Sequence, residues 1–434
     1  MSIEAVATQC RKLNDEWDKT INAVRKMPGF KDFLQPKDIA SLREAAASGP
    51  IIILLASDLA CSALIVKSSE DVQHVSLSAL KVQTVKHYAD LPRALSDRTF
   101  NVNNFLEAHG CEEPSSKQSD LEARLYGAKK GYVNMSSNDI FRRLLADIWQ
   151  TIVKPVFEVL NLKKSEDPSR LWWCPTGPFS FVPIHAAGMY GTDGTDCVSD
   201  YVISSYTPTL AALLDPPAHS TACFRMTAVI EPHAPNCSAL PGTKMELEKI
   251  KSRVPSQWLT SLHSTTRDTV MHHLYSSSVV HFACHGTQDL ENPLNSGLIL
   301  SDGRLDVSQI MHAPLNGDTD MMKNSITLAF LSACETAKGD AQTPDEAMHL
   351  AATLLFARFC GVVATMWRMN DDDGSKIADT FYEYLFKDCN PDLVSPSFPD
   401  LSKAAEALHL AVTKLYRDPS MSFQRWVPFV HYGL

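Results

Sequence analysis

The sequence has no excess of positive charge. Its 50 Asp and Glu outnumber 40 Lys and Arg, a formal net charge of −10, so it lacks the basic surface that a nucleic-acid partner requires. No apolar run approaches the roughly 20 residues of a spanning helix, and no membrane partner is expected. Met1-Ser2-Ile3-Glu4-Ala5 lacks the basic-then-apolar layout of a secretory leader. Eleven cysteines is an odd count, scattered at Cys10, Cys61, Cys111, Cys174 and onward without framework spacing. Reduced thiols in the cytoplasm or nucleus are the expectation. The Gly188–Asp196 loop lacks the glycine spacing of a phosphate-binding fingerprint. There is no fixed-period repeat and no low-complexity tract.

What is present describes a globular protein, 44% hydrophobic and 21% charged over 434 residues, long enough that two domains are the natural expectation. Residues 4–28 read as a helix with Cys10, Leu13, Trp17, Ile21 and Val24 on one face, a stripe that needs a partner. A second helix is expected around Pro36–Ala47. Pro50–Ala56, Cys61–Lys67 and His74–Leu77 read as strands, residues 110–135 as a polar loop, and Asn138–Leu160 as a long helix. Leu171–Pro175 and Phe179–Pro183 look like a hairpin around Thr176-Gly177-Pro178, and Tyr201–Tyr206 like a further strand. Pro216-Pro217 through Thr221 is the best linker candidate. The expected organisation is N-terminal helices over 1–49, one α/β lobe over 50–221 and a second over 222–434. In that second lobe strands and helices alternate, the pattern of a layered α/β fold on a mainly parallel sheet.

The chemistry concentrates between Ser278 and Trp367. Ser278–Cys284, Ser325–Ala333 and Gly361–Trp367 are continuous apolar runs without alternation, as in strands buried on both faces of a parallel sheet. The first runs into His285-Gly286 and the second into Cys334. If these strands are neighbours, both reactive side chains sit beyond the carboxyl ends of the sheet, where open parallel sheets bind ligands. A free thiol is only a few per cent ionised at neutral pH, and an imidazole beside it raises that fraction and can protonate a leaving amine. The competing reading is an inert buried thiol and an ordinary loop histidine. His281, Cys284 and His285 do not suggest a metal site, because strand alternation puts Cys284 on the opposite face from the two histidines. Asp289 or Glu291 could orient His285, as could a main-chain carbonyl. Ser301-Asp302-Gly303 marks a hairpin inserted between His285 and Cys334.

His281–Thr287 (HFACHGT) and Leu331–Thr336 (LSACET) together resemble the two signature blocks of CHAT domains, caspase-fold cysteine peptidases of the clan that includes separase, gingipain and metacaspases. The 49 positions between His285 and Cys334 are close to the roughly 50 of caspases. Phe181–Gly188, Leu240–Leu247, Val363–Asp371 and Trp426–Gly433 are similar to the family's further motifs. The resemblance is strong over roughly the last 300 residues and weak over the first 135. Fungal proteins with helical repeats ahead of a CHAT domain are the most similar, and such repeats would cover the stripe on the first helix.

The resemblance implies a caspase-like three-layer α/β fold in which a non-catalytic caspase-like lobe precedes the catalytic one. It implies Cys334 as nucleophile and His285 as general base and acid, with an oxyanion hole built from the backbone N–H groups of Gly286 and Cys334. In the separase branch an acid just after the Trp strand receives a basic P1 side chain; Asp371 stands at that place, followed by Asp372 and Asp373. Whether these acids form that pocket or only a solvated turn and helix start stays open. Asp289 and Glu335 complete the candidate substrate-binding set. The implied activity is a cofactor-free, metal-free cysteine endopeptidase acting on a protein substrate at few sites. A gasdermin-like pore former cut in regulated cell death is one candidate, and an upstream helical-repeat sensor is the implied partner. The alternative is a catalytically silent caspase-like scaffold.

Overall fold

The computed structural model describes the chain except residues 1–2, 31–32, 36, 97–134, 192–193, 215–223, 275, 288, 290–292, 313–327, 333–349, 357–358 and 394–395. The expected polar loop and linker lie wholly or almost wholly outside the described residues. Two compact units are distinguished, Met1–Glu44 and Ala45–Leu434. In the first, α1 (Ile3–Arg25) carries the expected stripe with Leu13 56% and Trp17 59% exposed. The second predicted helix starts later than expected, as α2 (Ile39–Arg43) capped by Asp38, which accepts the Ser41 N–H, and a 3₁₀ turn over Glu44–Ala46 follows it.

The second unit is organised on one eleven-stranded sheet. Its first part comprises β1 (Ile51–Ala56), β2 (Cys61–Val66), β3 (Gln73–Ser76), β4 (Ser169–Pro175) and β7 (Val202–Tyr206), with β5 (Gly188–Gly191) and β6 (Gly194–Cys197) as a separate ribbon. Helices α3 (Val82–Ser96), α4 (Ser137–Ile148) and α5 (Lys154–Leu160) belong to this part. The second part comprises β8 (Met226–Ile230), β9 (Leu259–His263), β10 (Val279–Ala283), β14 (Leu328–Leu331), β15 (Gly361–Thr365) and β16 (Phe429–Gly433). Strands β11 (His285–Thr287), β12 (Gly297–Leu300) and β13 (Gly303–Asp306) form a small sheet of their own. Around them are α6 (Gly242–Arg253), α7 (Arg267–Leu274), α8 (Val307–His312), α9 (Leu350–Phe356), α10 (Asp371–Phe386), α11 (Ala404–Tyr416) and α12 (Phe423–Trp426).

The strand order is β3-β2-β1-β4-β7-β16-β15-β14-β10-β8-β9, mainly parallel, with antiparallel pairing confined to β1–β2, β2–β3 and β15–β16. Every residue of β8, β10, β14 and β15 is buried, which explains their mostly apolar sequences. The expected hairpin at 171–183 does not form. Leu171–Pro175 lies in β4, parallel to both β1 and β7, whereas Gly177–Phe181 is a 3₁₀ turn. The cause is local: Gly177 adopts φ +54° and Pro178 starts the turn. The long helix over 138–160 is likewise interrupted by a π-helical turn, Trp149–Val153, just ahead of Pro155, where a proline removes one ladder N–H.

Candidate active site

Strands β10 and β14 are neighbours and parallel, with Phe282 opposite Leu331, and both chains leave the same edge of the sheet. The exit from β14 is pinned at Ser332, whose N–H donates to Phe282 O at 2.9 Å. Cys334 and Glu335 follow Ser332 in sequence but lie outside the described residues, as does Glu291. Cys284, which follows β10, is buried in the core.

His285 opens β11, which pairs antiparallel with β12 so that His285 faces Ile299 and Gly286 faces Leu298. The inserted hairpin thus pairs with the histidine segment directly. It is anchored at its tip: Asp302 accepts from the Arg267 N–H at 3.0 Å and from Arg267 Nε at 3.3 Å, at the start of α7. Ser301 Oγ donates to Thr265 O at 2.7 Å. The half-buried ring of His285 places Nε2 2.7 Å from Ser238 O. A carbonyl only accepts, so Nε2 donates, and in the neutral ring Nδ1 then keeps its lone pair, the state a general base needs. Asp289 is held in its own loop, its N–H donating to Ser296 Oγ at 3.1 Å and its carboxylate accepting from Asn295 at 3.4 Å.

The three acids after Trp367 diverge. Asp371 begins α10, and its Oδ2 accepts the Gly242 N–H at 2.5 Å. The partner is the first amide of α6, the helix end that favours a carboxylate. Only glycine permits this approach, since a Cβ at Gly242 would come within 2.6 Å of the Asp371 carboxyl carbon. The Asp371 pKa is raised, chiefly by burial. The Gly242 N–H opposes that shift, the charges of Glu246 and Asp372 reinforce it, and His285 also opposes it. Asp371 and His285 are therefore within electrostatic reach of each other. Asp372 is exposed. Asp373 is fully buried and gripped by Arg425, Nε to Oδ2 at 2.8 Å and Nη2 to Oδ1 at 2.5 Å. The structure thus gathers His285, Gly286 and Asp371 at one rim and turns Asp373 to a structural role.

Beneath this rim lies a buried polar cluster that the sequence reading did not single out. Glu246 on α6 is 2% exposed and His281 on β10 is fully buried. Ser332 Oγ donates to Glu246 Oε2 at 3.0 Å, His281 Nε2 lies 3.1 Å from Glu246 Oε1, and His281 Nδ1 is 2.9 Å from Tyr382 Oη. The His281–Glu246 contact is close but not well directed, and neither of those two atoms has an aligned hydrogen bond. The Tyr382 hydroxyl is held neutral, its pKa raised well above the ordinary value by burial and then by Glu246. Helical phase was the available signal: Glu246 follows Thr243 by three residues and precedes Ile250 by four, on the same buried face.

A family model described as "CHAT domain" matches residues 142–434. Among solved structures the chain is similar to separase in the Saccharomyces cerevisiae separase–securin complex, at TM-score 0.55 and 11% identity, over 91% of this chain and 31% of that one. A second structure of the same complex gives TM-score 0.53 at 11% identity, over 91% and 30%. The Arg-specific cysteine proteinase gingipain R aligns at TM-score 0.40 and 9% identity, over 68% of this chain and 67% of that one, too loosely to support an argument. The chain spans about a third of the length of the separase it matches. No curated protein matches by sequence.

Proposed function

The chain belongs to the CHAT domain family, and from that premise we propose that it is a cysteine endopeptidase using Cys334 and His285. The observation that carries this reading is the adjacency of β10 and β14, whose parallel exits lead, one to His285 directly and the other two residues beyond Ser332 to Cys334. In the proposed reaction His285 Nδ1 takes the proton of the Cys334 thiol and the resulting thiolate attacks the scissile carbonyl. Backbone N–H groups of Gly286 and Cys334 stabilise the oxyanion. His285 then protonates the leaving amine, and water resolves the thioester. This chemistry requires no cofactor.

The proposed substrate is a protein cut at few sites with Arg or Lys at P1, received by Asp371, and with Asp289 and Glu335 lining the approach. A gasdermin-like pore former in regulated cell death, a cytoplasmic setting and an upstream helical-repeat sensor complete the proposal; all three rest on the resemblance of the motifs. The test is an unbiased peptide-library digest with the chain and with Cys334→Ala. Cleavage that the substitution abolishes supports the peptidase, and loss of Arg/Lys-directed cuts in Asp371→Ala supports the pocket. Absence of cleavage, together with no peptide-dependent labelling of Cys334 by an electrophilic peptide, favours the silent scaffold instead.

A further inference from the structure

We infer that Glu246 is a positioning residue for the Cys334–His285 pair, a single buried carboxylate that ties the two strand exits to α6. The inference rests on the reading of those residues as the reacting pair. A carboxylate 2% exposed is costly unless its lone pairs are used, and this one is shared between the two strands that matter. One oxygen accepts from Ser332, two positions ahead of Cys334 in sequence; the other faces His281, four positions ahead of His285. Ser332 is thereby held twice, by its N–H to β10 and by its hydroxyl to α6. His281 is held on its other faces as well, stacked on Phe330 of β14 with ring centroids 4.7 Å apart and bonded to Tyr382 of α10. With the His281 proton on Nε2 beside the carboxylate, Nδ1 accepts from the Tyr382 hydroxyl. Helix α6 is itself fixed against α10, by Asp371 at its first amide and by Lys249 and Arg253 on Asp379 near its end. Gly374 leaves the space for this arrangement: a Cβ there would meet Ser332 Oγ at 2.6 Å and Glu246 Oε2 at 3.0 Å.

The test reads Cys334 itself and needs no substrate. Alkylation of the full chain by iodoacetamide is followed from pH 5 to 10 by peptide mass spectrometry, with the exposed Cys10 and Cys237 as internal references and the buried Cys61 and Cys174 reporting an intact fold. In the wild type, Cys334 should react at a lower pH than the references, and His285→Ala should remove that advantage. Ser332→Ala removes one hydroxyl; it should slow Cys334 about tenfold at pH 7 and move its profile toward that of the references, as misplacement of a reacting group does. Glu246→Gln keeps an oxygen for Ser332 and should stay within about threefold of wild type. Gly374→Ala pushes the hydroxyl off the carboxylate without deleting either group and should act like Ser332→Ala, giving a decision should the latter lose its fold. A purely structural role would leave the pH profile of Cys334 unchanged in folded variants. Wild-type behaviour of Ser332→Ala, or of Gly374→Ala in its place, alongside a slowed His285→Ala overturns the inference alone. A wild-type Cys334 no faster than in His285→Ala removes the pair, and the inference with it.

Discussion

The two parts of the sheet use the same residue types to opposite ends. In the first part, His185 sits close after β4 and has both ring nitrogens occupied, Nδ1 at 2.9 Å from Tyr206 Oη and Nε2 at 2.8 Å from Val427 O. Burial is the main cause that pushes its pKa down to about 4. Cys174, on β4, is 4% exposed, and burial pushes its thiol up to about 12. A neutral, saturated imidazole and a protonated thiol do no nucleophilic chemistry. In the second part, His285 is only half-buried and places one nitrogen, Nε2, on the Ser238 carbonyl. On the proposed reading, reactivity follows from what surrounds a side chain, not from its type.

That contrast is broken most severely by exchanging the roles. His285→Ala or Cys334→Ala should lower peptide cleavage roughly 10³-fold or more, while Cys174→Ala should leave kcat unchanged; a loss of activity in Cys174→Ala measured on folded protein would sink the assignment of roles. Asp371→Asn is gentler, because the amide oxygen still accepts the Gly242 N–H while the charge is gone. Cleavage after Arg or Lys should fall about 100-fold in kcat/KM with little change after neutral residues. Equal losses for both substrate types would mean that Asp371 serves α6 and not the substrate.

Stability offers two smaller tests. Arg425→Ala leaves the Asp373 carboxylate buried and unpaired, and urea unfolding should show a loss of about 3 kcal/mol. His185 predicts a pH dependence. Its pKa is about 4 in the folded chain against an ordinary 6.5, so the unfolded chain takes up the proton first as pH falls. The stabilisation is fully present above pH 6.5 and drains away down to about pH 4, on the order of 3 kcal/mol in all. His185→Gln should flatten that part of the curve, as read by urea midpoints across the window.

The apolar runs of β10, β14 and β15 were legible because a strand buried on both faces is built mostly of apolar residues, and their parallel adjacency follows the expected pattern. Phe179–Pro183 reads as a strand in the sequence but its first part belongs to the 3₁₀ turn Gly177–Phe181, since Phe179, Phe181 and Val182 are apolar in either conformation and only backbone angles separate the two. The acidic run 371–373 was visible as a group. Its division into a helix-end contact, an exposed residue and a buried ion pair was not, because the partners Gly242 and Arg425 lie 129 and 52 positions away in sequence. Glu246 was hidden for the same reason: a glutamate on a helix surface is ordinarily solvated, and its hydrogen-bond partner Ser332 lies 86 positions on.

Sequence alone determined the family, the α/β alternation and the residues proposed to carry the chemistry, since these depend on local pattern and side-chain type. Tertiary structure alone decided which histidine is buried with both nitrogens bonded, which acid meets a helix end, and which carboxylate lies beneath the strand exits. Protonation and hydrogen bonding are set by distances of about 3 Å between groups that the chain brings together only when the sheet closes.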